Sequence, residues 1–314
     1  MASRVLFERK WKIVLQTMDD TSGNLVPIKT KTIRDLKVTF TIKNTLLGDP
    51  SLASFQIYNI NEETEALITA YNCYITFYSG YGDENEESWN VLFQGKITNS
   101  YDIRQKQDMV WNIWARNAFS LLTTTKPTIK SIQNPTTPKK ILESLVDNAI
   151  GLAGKPTYVN NCDIKFSSVA PLPEFILEGT FKDEFDDLLL PYGLGWQIQN
   201  DEFIVFDQEF TDPSSIEGEA ITVSRETGLL SIPMVDYKGV NFSSILNGQF
   251  KPTKIIDIAP NTIRYNLGNE FYVEKFDKSQ WRAKGKFRIF EVTHRGDTRG
   301  DRWDTDVIAF YRRN

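Results

Sequence analysis

GKFRIFEVTHRGDTRGDRWDTDVIAFY, residues 285–311, is the stretch from which the fold is read. Phe287, Ile289 and Phe290 to Val292 form one β-rich run, and Trp303 to Tyr311 forms another, with Val307, Ala309 and Tyr311 on one parity. Between them, from His294 to Arg302, lies a tip rich in Gly and Asp and poor in apolar residues, so the pair reads as a β-hairpin. The same design occurs earlier, in GKITNSYDIRQKQDMVWNIWAR, residues 95–116. Gly95-Lys96 matches Gly285-Lys286, and Trp111 on the return strand matches Trp303. One β-module is therefore expected twice, with different material between.

Working outward, Trp11, Ile13 and Leu15 alternate with polar neighbours, and Leu36, Val38, Phe40 and Ile42 alternate without a break. Both patterns predict half-buried strands. Ser22-Gly23-Asn24 reads as a turn. Phe55, Ile57 and Asn59 give a further strand, and Asn61-Glu62-Glu63 opens a short helix through Ile68, Asn capping it and the acids facing the positive end of its dipole. Tyr74 to Tyr81 and Trp89 to Gln94 flank a second charged tip, residues 82–88. Thr123 to Pro138, with three prolines, reads as a linker. A helix then starts at Thr137-Pro138, carries Ile141, Leu142, Leu145, Val146 and Ala149 on one stripe, and stops at Gly151. A second starts at Thr180 and runs through Phe181, Phe185, Leu188 and Leu189 to Pro191. Asn200-Asp201 between Trp196–Ile198 and Phe203–Phe206 marks a tight hairpin. From Gly228 the composition turns β again, with strands expected at Val240–Leu246, Lys254–Ala259 and Phe271–Phe276.

The 314 residues suffice for two or three domains. A net charge of −5 argues against a protein that grips phosphate backbones. Two cysteines far apart, Cys73 and Cys162, fit neither a disulfide framework nor a zinc site. The first ten residues lack the apolar block of a signal peptide, and no run approaches the ~20 apolar residues of a membrane helix, so a soluble protein made in the cytoplasm is expected.

Catalytic signatures are missing. His294 is the single histidine, which rules out a two-histidine metal site, and a structural role is expected for it. No phosphate loop, HExxH helix or GxSxG elbow is present. Asp183, Glu184, Asp186 and Asp187 fall opposite Phe185, Leu188 and Leu189 and read as a solvated helix face rather than a glycosidase pair. The two Arg-Gly-Asp triplets at 295–297 and 299–301 read as turn chemistry that docks a partner, not as an adhesion signal. Candidate interface residues are Asp83, Glu84, Glu86 and Glu87 on one tip and Arg295, Asp297, Arg299 and Asp301 on the other, the charged rim of an assembling protein. No catalytic, metal or cofactor-binding residue is assigned.

Several stretches taken in order resemble the baseplate hub proteins of contractile-tailed bacteriophages, a family related to the hub portion of type VI secretion spike proteins. They are LKVTFTIKNT followed by SFQIYNINEET; ITFYSGY and VLFQGKI with the Trp-bearing return strand; TPKKILESLV and FKDEFDDLLLPYGLGWQIQNDEFIVFD; and GLLSIP, VNFSSILNGQFKP and the closing hairpin. The resemblance spans nearly the whole chain. It implies a mainly β fold with an α+β middle region, two tube-like β-barrels flanking a small helix-plus-hairpin domain, with boundaries at 1–122, 123–229 and 230–314. It also implies a homotrimeric ring adapting a hexameric tail tube to a trimeric spike, with DNA only in transit through the channel. The implied partners are tube, spike, other baseplate proteins and a tape measure protein, and the implied place is the tail baseplate of a virion. Because the last strand ends close to Asn314, the spike is expected as a separate chain. The hub of a phage-derived injection or secretion machine is the alternative, and a tail-associated cell-wall hydrolase a more distant one.

Overall fold

The computed structural model describes residues 8–19, 26–46, 51–82, 85, 88–117, 122–129, 131–149, 152, 154–159, 162–208, 220–236, 239–265 and 285–310. The first part runs β1 (Arg9–Asp19), β2 (Val26–Ile33), β3 (Val38–Thr45), β4 (Leu52–Tyr58), helix α1 (Glu62–Ile68), β5 (Cys73–Tyr81), β6 (Asn90–Gln105) and β7 (Asp108–Arg116). The middle holds β8 (Ser131–Thr136), α2 (Pro138–Asn148), β9 (Thr157–Tyr158), α3 (Cys162–Ser167), β10 (Leu172–Ile176), α4 (Phe181–Leu189), β11 (Leu194–Gln199) and β12 (Glu202–Asp207). The last part runs β13 (Ile221–Val223), β14 (Met234–Asp236), β15 (Gly239–Ile245), β16 (Ile255–Ile258), β17 (Arg264–Tyr265), β18 (Lys286–Asp297) and β19 (Trp303–Phe310). The fold is mainly β, with its main helices in the middle. The turn expected at Ser22-Gly23-Asn24 and the strand expected at Phe271–Phe276 lie outside the described residues.

Local chemistry explains most elements. In β3, Val38, Phe40 and Ile42 are buried while Thr41 and Lys43 are exposed, the period-two pattern of a strand with one wet face. Asn61 caps α1 by accepting from the Thr64 backbone N–H at 3.0 Å. Thr180 and Asp183 form a reciprocal capping box at the start of α4. Asn200 and Asp201 both have positive φ, 50° and 65°, which a two-residue turn needs to match the twist of β11 and β12. Two expectations fail. Residues 131–136 of the expected linker form β8, paired antiparallel with β10, because the segment has a partner edge to satisfy its backbone. Helix α2 ends at Asn148 with Ala149 as its extended cap, before the expected Gly151, which lies outside the described residues.

Three hydrophobic clusters organise the chain. One is built on Ile13, Phe40, Phe55, Phe77 and Phe93, and it also takes in Leu246 and Trp303 from the last part. The middle cluster gathers Leu142, Leu145, Phe166, Phe185, Leu188 and Phe203. The third gathers Val240, Phe242, Ile256, Phe287, Ile289 and Val307.

The sheet order extends the repeat read from the two hairpins. In the first part β3 pairs β4, β4 pairs β7, β7 pairs β6, and β6 pairs β5, all antiparallel. In the last part β14 pairs β15, β15 pairs β19, β19 pairs β18, and β18 pairs β16, again all antiparallel. The strands β3, β4, β5, β6 and β7 thus correspond, in chain order and in pairing, to β14, β15, β16, β18 and β19. The two modules are not separate sheets. Strand β18 pairs antiparallel with β3 from Glu291↔Thr45 to Asp297↔Thr39, which fuses them into one sheet, fourteen-stranded among the described residues.

Candidate partner interface on the terminal hairpin

The hairpin of β18 and β19 was expected to end in a charged tip from His294 to Arg302 that docks a partner and adds little to folding. The first strand runs further, to Asp297, the return strand starts at Trp303 as expected, and the turn between them is held down at both ends. Thr298 donates its N–H to Val38 O at 2.9 Å, and its hydroxyl accepts from Val38 N at 2.9 Å. Arg9 donates to the carbonyls of Gly300 at 2.7 Å and Asp301 at 2.8 Å, and its guanidinium lies 5.5 Å from the Trp303 ring centre. Trp303 is buried against Phe40 in a T-shaped contact at 5.4 Å. Backbone groups at the tip are satisfied by the first module, so the turn is a fold-joining element.

Each interface candidate can be placed against this frame. Arg295 pairs with Asp306 on the return strand, and Asp306 also accepts from Ser243 Oγ at 2.5 Å. Asp297 accepts from the Arg299 backbone N–H at 2.9 Å and lies 3.9 Å from Lys37 Nζ. Arg299 donates to Asp35 O at 2.7 Å, yet it and Asp301 remain exposed. Asp83, Glu84, Glu86 and Glu87 lie outside the described residues.

His294 sits inside β18 rather than at an edge, 1% exposed, with Nδ1 2.9 Å from Thr305 Oγ1. Burial, helped by the positive charge of Lys251, pushes its imidazole down to about 3, so it is neutral near pH 7. It lines a small polar cavity with Asn44, Ser51, Asn200, Gly248 and Lys251, where strands from all three parts meet. Nearby, Asn200 donates to Val91 O at 3.1 Å, and Asp201 accepts from Gln94 Nε2 at 2.5 Å. Desolvation there pushes the Asp201 carboxyl up to about 7.

The acidic residues of α4 are not all solvated. Glu184 is 4% exposed and accepts from the backbone N–H groups of Glu178 at 2.8 Å and Gly179 at 2.6 Å. Asp186 accepts from Trp196 Nε1 at 2.8 Å and from Lys182 at 2.6 Å. Asp187 is exposed, as expected of the polar face. These carboxylates anchor backbone and core side chains and leave no pair facing a cleft. Among the described residues no cluster of His, Cys, Asp or Glu could hold a metal, and no helix is long and apolar enough to cross a membrane. Both cysteines are buried with thiols pushed up to about 12 by desolvation, which makes them poor nucleophiles.

No family model matches the sequence, and no curated protein matches it. Solved structures do. The 43 kDa tail protein of prophage MuSo2 from Shewanella oneidensis superposes with a TM-score of 0.55 at 8% identity, over 96% of both chains. A tail protein of Neisseria meningitidis MC58 gives 0.54 at 8% identity, again over 96% of both chains. This chain has the fold of phage tail proteins. An Escherichia coli protein, described as a component of the type VI secretion system with structural similarity to the T4 tail proteins gp27 and gp5, gives 0.51 at 14% identity, over 88% of this chain and 74% of the other.

On the tail-protein fold one face of the fused sheet carries a run of polar side chains, broken by Trp114, Ile245 and Ile308. Thr39 donates to Gln56 at 3.0 Å and Gln56 to Asn112 at 3.0 Å, a side-chain ladder across β3, β4 and β7. Strand register puts Thr41, Arg295 and Asp304 on the same face, followed by Asp306 and Ser243. Its charges are largely neutralised within the chain, by Arg295 with Asp306 and by Lys43 with Glu291 at 3.0 Å. Sequence reading missed this ladder and the clamp of Arg9. A lone arginine at the start of a strand carries no signal, and register is a property of pairing.

Proposed function

We propose that this protein is the structural hub of a contractile phage tail, a ring of three copies that adapts a six-fold tube to a three-fold spike and leaves a channel for DNA. The observation that carries the reading is the duplicated module. Five strands recur in the same order and pairing, and the two modules are joined edge to edge through β18 and β3. Two equivalent modules per copy, three copies in a ring, present six similar units to one neighbour and a true three-fold to the other. The modules are the two tube-like barrels, expected at residues 1–122 and 230–314 around a middle domain of 123–229; β13 pairs with β16 and Val223 packs in the last cluster, so the last module takes in residues from Ile221 onward. The polar face fits a channel wall, since charges already paired within the chain and a net charge of −5 give a polyanion nothing to grip.

The partners are further copies of the chain, tube, spike and other baseplate proteins, and a tape measure protein in the channel; the place is the virion tail. The exposed side chains of Arg299 and Asp301, with Arg295 and Asp297 beside them and the acidic tip of Asp83, Glu84, Glu86 and Glu87, are proposed to orient neighbours at the rim. The role is structural, without catalysis, metal or cofactor. A second reading, the hub of a phage-derived injection or secretion machine, is supported by the likeness to the type VI component. The test is reconstruction of the purified particle with this chain labelled. Three copies in one ring between tube and spike are expected; six copies, one copy, or a position outside the axis would overturn the proposal.

A further inference from the structure

The repeat has an asymmetry at its outer edges. In the last module, the first half of β18 is covered by β16 at Lys286–Arg288 and the second half by β3 at Glu291–Asp297. In the first module, β6 is covered by β5 at Asn90–Lys96, but from Thr98 to Gln105 it is paired, among the described residues, only on its β7 side. That half-strand is largely exposed, contains no proline, and shows Tyr101 and Ile103 at 44% and 42% exposure. Tyr101 stacks on the exposed Trp114 at 5.2 Å. Such an edge is a template for another strand. The outermost strand at that end, β2, is protected differently, by Pro27 and by Lys29 and Lys31 paired to Glu63.

The equivalence of the modules says what the missing neighbour is. Since β18 corresponds to β6, and its partner β3 corresponds to β14, the counterpart of the β18–β3 junction is β6 against the run leading into β14. Within one chain these are not paired among the described residues, where β15, β19, β18, β3, β4 and β7 lie between them in the sheet. The run into β14 is also incompletely covered. Leu229 bridges Ser244 of β15 on one side, while among the described residues β17 holds the other side only at Met234 and Val235, with Arg264 N–H on Pro233 O. It bears its own exposed apolar stripe, Leu230 at 60%, Ile232 at 57% and Met234 at 40%. Tracing the register from Met234 through Asn241, and from Tyr101 through Asn112, puts both residues on the polar-ladder face. Two open edges at opposite ends of one sheet, each with exposed apolar side chains, make a head-to-tail contact that closes into a ring.

We propose that Thr98–Gln105 of one copy pairs as a strand with residues 229–232 of a second copy, repeating between copies the junction that β18 and β3 make within one. This rests on the ring reading above, and the test separates the two. Full-length chains carrying Ile103→Cys and Ile232→Cys are mixed and mildly oxidised, the buried native cysteines remaining inert. The expected result is a disulfide between the two variants forming roughly tenfold or more faster than with Ile28→Cys, on β2, in place of Ile232→Cys. The double variant Ile103→Cys, Ile232→Cys is then sized by native mass spectrometry. Cross-linked closed rings of three support both readings. Cross-links that close at another number keep the strand junction and overturn the three-copy ring. Rings of three without the cross-link, or no preference over Ile28→Cys, overturn the junction; in the first case the ring stands.

Discussion

Trp303 is the residue on which the joining of the two modules can be measured. It belongs to β19 of the last module yet is 5% exposed inside the hydrophobic cluster of the first, edge-on to Phe40. A buried indole removes about 200 Å² from water, worth about 5 kcal/mol at ~25 cal/mol per Å². Trp303→Ala keeps only the β-carbon, and after partial relaxation of the cavity a loss of about 3–5 kcal/mol is expected. Its Nε1–H is buried without a hydrogen-bond partner among the described residues, so the polar part of the ring contributes nothing favourable. Trp303→Phe should therefore be mild, within about 1.5 kcal/mol of the natural protein. The assay is equilibrium urea unfolding of both variants, followed by circular dichroism and by limited proteolysis of the two modules. Trp303→Ala should loosen both modules together. An Ala variant within about 1 kcal/mol of the natural protein, or a Phe variant as damaged as the Ala one, would refute the reasoning.

Three further outcomes follow from the same contacts. Glu184→Ala, which strips the acceptor from two backbone N–H groups, should lower stability by about 2–4 kcal/mol and Glu184→Gln by less, whereas Asp187→Ala, at an exposed position, should stay within about 0.5 kcal/mol in urea titrations. The buried Asp201 and His294 should oppose one another with pH. Asp201, raised from 3.8 to about 7, makes the folded state hold an extra proton and stability fall with rising pH, while His294, lowered from 6.5 to about 3, makes the folded state hold one fewer and stability rise. Asp201→Asn should therefore unmask a stability that rises between about pH 4 and 6.5, and a flat or falling curve would contradict it. Arg295→Glu, which sets a carboxylate beside Asp306, should lower stability by about 1–2 kcal/mol, and Arg299→Glu by about 0.5 kcal/mol or less; the second should instead reduce the yield of assembled particles, and normal yield would remove its docking role.

The sequence was most readable where local chemistry decides. The alternation in β3, the capped start of α1, the helix start at Thr180 and the Asn200-Asp201 turn are set by neighbours in the chain, and the structure has them where expected. The two hairpins were legible as a repeat, but the matching of the other three strands was not. Met234–Asp236 is three residues long and has no periodicity to read. Glu184 was misread because helical spacing places it beside solvated acids, while its burial comes from the chain folding back at Glu178 and Gly179. The tip at Thr298 was misread for a related reason. Gly and Asp mark a turn, but nothing in a turn's composition tells whether another strand end will accept its hydrogen bonds.

The bond between Val38 and Thr298 spans 260 residues. Strand β3 is among the earliest made and β18 among the last, so during synthesis the first module has one edge open for nearly the whole time the chain is being elongated. Local hairpins such as β6 with β7 can close within microseconds, but the seam must wait for loop closure across almost the entire polypeptide. The slow step of folding should therefore be the docking of the last hairpin, and an unfinished chain exposes β3 as a strand edge on which another unfinished chain can pair. Expression of a chain ending at residue 284 should give aggregates rather than a folded first module.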